Sequence, residues 1–520
     1  MKKTWKRIVL TAAALSLLVT GLAGCSPDSA GGGDGEKSEV SLFYSTSGIN
    51  LPDGVSESDN PFLNAIAEQA NVTFTDVTVP PYTDWQTKFN MIVTSGNMPD
   101  LVHSMYPDEV NRQGANGAFV ELTDIIKNSP VLSKLYDEEM LDLMRDENGK
   151  IYGLRSLGSE TPSSCYVRKD LIDEVNGGKM PSTPEEYYEF FKNIKAKYPD
   201  AVPMTTRGGL SFGHLLFYGY GVKIDGNGAN WQYTDGKFIN AFEAKHAREA
   251  VEFHKKLYDE GLLDKTFVTN KIQDENDRKY NKQLAVFPSD LRSVYSYIGN
   301  YINNGCPEAE VVPGIWPRVD DAEVDDANVY LNVAPVGIHT FSISSKAKDV
   351  DACVRVLEAL VSEETRELTS WGREGIEYNV VDGEKVLDLE KSKETSYRTM
   401  YAMMFNLGSK EILDVSLQEQ LALVPEEKRE QYKKDVEATA PISFEQAEKV
   451  PAVIPNDVVK LDTETLAKLQ EAYEQSKSII LKAITGEISM EEYDKQVSDF
   501  LAKYQFITDA YNEAYAKVAK

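Results

Sequence analysis

The amino-acid sequence predicts an α/β protein, on three observations. Short β-rich runs alternate with amphipathic stretches of helical length. Cap residues followed by proline or glutamate open those stretches, and glycines close them. The chain from Thr463 onward reads as helices.

Val40 to Tyr44 is the first β-rich run. Asn60-Pro61 supplies an N-cap and a proline at the first helical position, which opens a helix to about Ala70. A strand over Val72 to Val77 follows at once. Beyond Pro80-Pro81, Thr83 can cap a helix through Trp85, Phe89, Met91 and Ile92 that ends near Gly96, and Leu101-Val102-His103 reads as the next strand. Strand, helix, strand, helix, strand is half of a doubly wound sheet. Ligands of such sheets sit at the carboxyl ends of the strands, so Tyr44 to Ser47 and His103 to Tyr106 are expected at a rim.

A second α/β unit begins after the polar turn Asp146 to Lys150. Thr183-Pro184-Glu185-Glu186 combines a cap, a first-turn proline and the glutamate of a capping box, giving a helix to about Lys197. Val202 to Thr206 is expected as a strand, and Ala241 to Glu260 as an amphipathic helix stopped by Gly261. Leu284 to Phe287 reads as a strand, Asp290 to Asn303 as a helix, Val329 to Ile343 as an extended segment and Asp349 to Ser362 as another helix. In the tail Gly486 ends one helix, and Ser489 to Glu492 is the capping box of the next. No tandem repeat is present.

Ahead of the body, Lys2, Lys3, Lys6 and Arg7 precede about 16 mostly apolar residues, Ile8 to Ala23, too short for a membrane span and fitting a signal-peptide core. Leu22-Ala23-Gly24-Cys25 resembles the lipobox of bacterial lipoproteins, which implies cleavage after residue 24 and acylation of Cys25. Residues 25–39, with Gly31-Gly32-Gly33-Asp34-Gly35 and almost nothing apolar, read as a flexible tether. A body held this way acts at the outer face of the cell membrane.

The formal charge is -28, and removing the four cations of the leader makes it -32. Nucleic acid is thereby an unsuitable partner. Apart from the lipidated one, the cysteines are Cys165, Cys306 and Cys353, at spacings of neither a disulfide framework nor a zinc site. The histidines, His103, His214, His246, His254 and His339, form no metal motif. No cofactor is implied.

Several segments in order resemble the family 1 extracellular solute-binding proteins of ABC importers, particularly the long lipoproteins that serve oligosaccharide uptake. They are Ser95 to Val102, Ala118 to Thr123, Asn148 to Leu154, Tyr166 to Leu171, Pro181 to Glu186, Trp371 to Tyr378 and Ile484 to Ser489. The resemblance implies a two-lobed periplasmic-binding type II fold with a hinge and extra C-terminal helices. The expected N-terminal lobe is 40–155 plus 311–365, and the C-terminal lobe 156–310 plus 366–520, with crossings near Gly153 to Tyr166, Glu308 to Val312 and Glu363 to Trp371. It also implies a monomer that binds a small molecule, an oligosaccharide, and delivers it to permease subunits in the membrane. Some long relatives carry a calcium loop; here Asp225 to Asn230 lacks the glycine and glutamate such a loop needs, so no metal is expected.

Sugars need flat aromatic faces against C–H surfaces and polar groups against hydroxyls. Trp231 and Trp371 lie in polar or Gly-rich surroundings, whereas Trp85 lies on a helical stripe and reads as core. Tyr44 and Tyr106 follow strands at the expected rim, and Arg168, Arg207 and Asp290 sit beside strand or turn ends of the other lobe. Arg373 and Glu374 form the polar pair of the Trp371 segment, which Tyr378 closes. Phe212 lies in a Gly-rich loop.

Gly209-Leu210-Ser211-Phe212-Gly213 also fits the nucleophile elbow of a serine hydrolase, with His339 or His254 as nominated base, although no oxyanion-hole motif precedes it. A paired-carboxylate glycosidase and a sensory accessory lipoprotein are further alternatives.

Overall fold

Two sheets, each entered by the chain more than once, organise the molecule. The computed structural model describes residues 37–519 except 47–48, 50, 82–83, 159–161, 320–334, 402–409 and 449–452. The leader, Cys25, most of the tether, Thr83 and the start of the Val329 segment lie outside the described residues.

Strands β1 (Ser38–Phe43), β2 (Val72–Thr78), β3 (Leu101–Ser104) and β4 (Leu154–Leu157) come first, and β5 (Ser163–Arg168) opens the second sheet. Short strands β6 (Ile224–Asp225), β7 (Gly228–Ala229), β8 (Trp231–Thr234) and β9 (Lys237–Asn240) form two hairpins. They are followed by β10 (Val286–Asp290), β11 (Val311–Gly314), β12 (Val336–Ile343) and the hairpin of β13 (Tyr378–Val381) and β14 (Glu384–Leu387). The first sheet has the order β2-β1-β3-β12-β4, with β1 parallel to β2 and β3 and with β12 antiparallel to β3 and β4. The second has the order β10-β5-β11, both outer strands antiparallel to β5.

Alternation along β1 turns Leu42 to one core and Phe43 to another, so helices cover both faces of the first sheet. Helix α1 (Pro61–Gln69) lies on one face, its end closed by Asn60, whose side chain accepts from the N–H groups of Phe62 and Leu63. Helices α2 (Trp85–Ser95) and α3 (Pro107–Ala115) lie on the other, through Trp85, Phe89 and Val110. In the second lobe, the helix Pro184–Lys197 is capped by Thr183, and its Phe190 and Phe191 share one core with Ile480 and Phe500 of the helices Thr463–Thr485 and Met490–Val518. The other face of the second sheet is covered by Tyr432 and Val436 of the helix Glu426–Ala447. Cys165 and Cys353 are free thiols buried in separate cores, and Cys306 is a free, half-buried thiol.

Three expectations are corrected. Val202 to Thr206 is no strand; isolated bridges at Met204 and Arg207 replace a ladder, because Pro203 has no N–H to donate. Val311–Gly314, expected in the first lobe, pairs with β5 in the second, so the chain returns between Gly314 and Val336. The segment after Glu363 stays on the first lobe, where Tyr397, Met400 and Tyr401 join its core; the next elements on the second sheet begin only beyond the helix Lys410–Leu421. These placements depend on partners remote in sequence.

Candidate functional site

The strand directions define where two rims face each other. In the first sheet β1 and β3 end together, placing Ser45, Thr46 and Tyr106 at one edge. In the second, β5 enters from the first lobe at Ser163, and β10 and β11 run back toward that end, with Asp290 paired to Ser163 and Val311 to Arg168. The carboxyl ends of β10 and β11 therefore lie at the edge nearest the crossings.

The first rim is built on buried aromatics. Tyr106 is 40% exposed, and its ring stacks on buried Trp85 at 5.9 Å between centroids. Trp85 also stacks on Phe89 and approaches His103 at 5.7 Å. The backbone N–H of Ser45 donates to Nδ1 of His103 at 3.3 Å, which assigns the His103 hydrogen to Nε2, 3.0 Å from Nδ1 of His339. Protonating the pair would set two N–H groups against each other. Burial and the neighbouring imidazole accordingly hold His103 well below the ordinary histidine range. The pair is a fixed neutral brace that ties β3 to β12 and to the end of β1.

A groove lined from both lobes runs alongside. It comprises two adjoining cavities of about 770 and 870 Å3 that share Arg145, Asp146, Glu147, Lys460 and Leu461. Asp108 and Arg112 of α3 face it from one side, Leu469 and Tyr511 from the other. Burial lowers Lys460, while Asp108 and Asp457 oppose that shift. The short helix Pro455–Val458 straps the lobes here: Asn456 donates to the carbonyl of Trp231 at 2.8 Å, and Val458 packs on the first-lobe core.

The profile of the bacterial extracellular solute-binding protein family matches residues 54–367. The chain belongs to that family. A curated relative of this solute-binding protein is the polygalacturonan/rhamnogalacturonan-binding protein YtcQ of Bacillus subtilis (strain 168), 24% identical over 73% of this chain and 75% of that one. Another is the lipoprotein LipO of the same organism, 25% identical over 74% and 75%. Among solved structures, an HMO-binding, ABC-transporter-associated solute-binding protein from Bifidobacterium longum infantis superposes with a TM-score of 0.68 at 16% identity, covering 94% of this chain and 100% of that one. The fold is the two-lobed, periplasmic-binding type.

Within this solute-binding protein the expected site residues scatter. Tyr106 stands at the rim as expected. Tyr44 does not: it is buried, and its hydroxyl donates to the carbonyl of Glu57 at 2.6 Å. Trp231 is buried too, its Nε1 donating to Thr508 at 2.8 Å under the C-terminal helices. Arg168 is at the far end of the second sheet, ion-paired with Asp170 at 2.6 Å and 5.2 Å from the Tyr301 ring. The backbone of Asp290 is at the near end; its side chain lies outside the described part of the structure.

Trp371 and Tyr378 are packed together with Leu387 and Val415, and the Tyr378 hydroxyl donates to Glu367. Arg373 pairs not with exposed Glu374 but with fully buried Glu377, at 2.5 Å, its guanidinium 5.5 Å from the Phe62 ring. Gly372, at φ +92, is where the chain folds back onto Glu377, whose side chain would collide with any Cβ there. The glycine-rich segment is thus a clamped turn.

Arg207 and Phe212 do meet, the guanidinium 3.9 Å from the ring centroid, on the second lobe alone. Ser211 bonds to Arg207 through the backbone. His254 instead donates from Nδ1 to the carbonyl of Ala250 and His339 pairs with His103, so neither nominated base bonds Ser211 among the described residues. Sequence reasoning missed the His103–His339 brace, whose partners are 236 residues apart, and the Asn456 to Leu461 strap. The spacing of Arg373 and Glu377, four residues apart, was the one available signal for their pairing.

Proposed function

We propose that the protein is a lipid-anchored receptor of a bacterial ABC importer, which captures an oligosaccharide between its lobes and delivers it to a membrane permease. The observation that carries this reading is the exposed Tyr106 ring, held flat on buried Trp85 at the carboxyl ends of the first sheet. Such a face suits the C–H side of a sugar ring, and a rigid underlayer keeps the ordering cost of binding low. A ligand that touches both rims binds the closed form better than the open one, and that difference in affinity is what shifts the lobes. Binding of polygalacturonan and rhamnogalacturonan by the relative YtcQ, and of HMO by the structural neighbour, supports a carbohydrate ligand. The Cys25 lipobox and the lipoprotein relative LipO support the anchor.

A thermal-shift screen of the body from Ser26 onward, against oligosaccharides, monosaccharides and short peptides, tests the reading. A dose-dependent rise with one oligosaccharide class, without product on long incubation, is expected. A rise with peptides only, or consumption of a sugar or ester, would refute it. Cys25→Ala is expected to move the protein from the membrane to the medium.

A further inference from the structure

Helices α2 and α3 pack on one face of the first sheet through Trp85, Phe89, Val93 and Val110, which leaves Gln86, Asn90 and Thr94, four residues apart along α2, as an exposed row. Between that row and α3 lies a cavity of about 500 Å3, and every residue that lines it belongs to the first lobe. The exposed ring of Tyr106 lines this cavity and neither cavity of the groove between the lobes. Asp108, Glu109 and Arg112 line both it and the nearer cavity of the groove, so one space leads into the other.

The aromatic face is fixed in advance. The N–H of Tyr106 donates to Oγ of Ser104 at 3.0 Å, and Pro107 takes the first position of α3, so the backbone that carries the ring is held on both sides. Beneath the ring, Nε1 of buried Trp85 makes no hydrogen bond among the described residues. An orphaned N–H costs about 1–3 kcal/mol, which a phenylalanine would avoid. What the indole adds is a wider flat face, stacked on both Phe89 and Tyr106.

The walls supply hydrogen-bonding groups without a free charge. The carboxamides of Gln86 and Asn90 make no hydrogen bond among the described residues. Arg112 donates to both carboxylate oxygens of Glu109, which also accepts from Gln113 at 2.8 Å. Asp108, at the junction, is offset by the Arg155 guanidinium and the Lys460 ammonium. An anionic sugar would therefore meet no unpaired cation among the lining residues.

We propose that this cavity is a subsite of its own, outside the groove between the lobes, for a neutral sugar unit of a chain that runs out of the groove over the first lobe. The Tyr106 face takes the C–H side of the ring, and the two carboxamides take its hydroxyls. The choice of a sugar rests on the carbohydrate reading above; the place and the neutrality rest on the cavity.

Calorimetric titration of the mature chain with galactan, mannan and cellulose oligosaccharides of two to six units, and with oligogalacturonides of the same lengths, tests this. One neutral series gains about tenfold or more in affinity over its shortest bound member as it lengthens. The double variant Gln86→Ala/Asn90→Ala, on two exposed positions, removes that gain and leaves the shortest member within about twofold of the parent. Tyr106→Ala removes the same gain. Affinity that does not change with length, a gain that survives in the double variant, or an equal loss at every length overturns the proposal and leaves the receptor reading intact. Binding of the oligogalacturonides alone does so too. If no sugar of either kind binds, the receptor reading itself fails and takes the subsite with it.

Discussion

Two aromatic stacks, one in each lobe, use the same geometry for different ends. Trp231 lies against Tyr511 with centroids 6.1 Å apart and planes 20° apart; Tyr106 lies against Trp85 at 5.9 Å and 29°. In the second lobe both rings are buried, because the helix Met490–Val518 folds over the β8–β9 hairpin and supplies Thr508 for the indole N–H. In the first lobe no described element covers Tyr106, and half of the stack is left to solvent. Whether an aromatic becomes core or exposed surface is thus decided by a segment 277 residues away in one case and, among the described residues, by the lack of one in the other.

Removing the covered indole is the strongest way to break this comparison. Trp231→Ala is expected to lower unfolding free energy by about 3–5 kcal/mol, since it leaves both a cavity and an orphaned Thr508 partner. Urea unfolding checks it. A loss below about 1 kcal/mol combined with abolished sugar binding would reassign Trp231 to the ligand.

Acid should then attack both lobes, the first through buried His103 and the second through two histidines. Burial holds both His214 and His254 down to about 4, and His254 lies flat on Phe217 at 3.6 Å. Unfolded histidine titrates near 6.5, so the unfolded chain takes up protons first as pH falls. The stabilisation is complete above about 6.5 and disappears as pH drops to about 4, by at most about 3 kcal/mol for each histidine. His254→Gln should flatten that slope in pH-dependent melting, and an unchanged slope would exclude His254 as its source.

A smaller loss is expected at the clamped turn. Burial raises the Glu377 carboxyl, but hydrogen bonds from the Arg373 side chain and backbone outweigh it and hold the group below the usual glutamate value. Its contribution is present at neutral pH and is lost as pH falls through the depressed value. Glu377→Gln should cost about 1–3 kcal/mol by leaving Arg373 without its charge partner. Glu374→Gln, on the exposed neighbour, should be neutral within about 0.5 kcal/mol. Equal effects would restore the Arg373–Glu374 pair that the sequence suggested.

What could be read in advance was whatever local chemistry decides. Asn60-Pro61, Thr183-Pro184 and Ser489 cap helices where expected, because a cap bonds N–H groups two or three residues away. The strand-end rule likewise placed Tyr106 at the edge of the first sheet, where its ring is exposed. The helix Glu426–Ala447 escaped notice, for Pro441 inside it argues against a helix. The placement of Val311–Gly314 and the burial of Trp231 and Tyr44 depend on partners far along the chain, and an indole in polar surroundings carries no local sign of what will cover it. Arg168 misled for a related reason: a strand end marks a rim only once the direction of entry into the sheet is known.

The uncovered stack offers the sharpest test, because there stability and binding should separate. Tyr106→Ala removes a ring that is 40% exposed, so stability loses about 0.5–1.5 kcal/mol of stacking on Trp85 plus the burial of the covered part of the ring, about 1–3 kcal/mol in all. Trp85 stays fixed by Phe89 and Phe43 beneath it. Oligosaccharide affinity should fall by about tenfold or more, since a flat aromatic anchor is lost from the rim. Tyr106→Phe keeps the face and should bind within a few-fold of the parent, unless the hydroxyl itself is a ligand contact. Titrations and melting curves of the two variants side by side decide it. If Tyr106→Ala melts early and binds normally, the ring is only a lid on Trp85, the two stacks do the same job, and the contact surface of the first lobe must lie away from Tyr106, in the groove that Asp108 and Arg112 line.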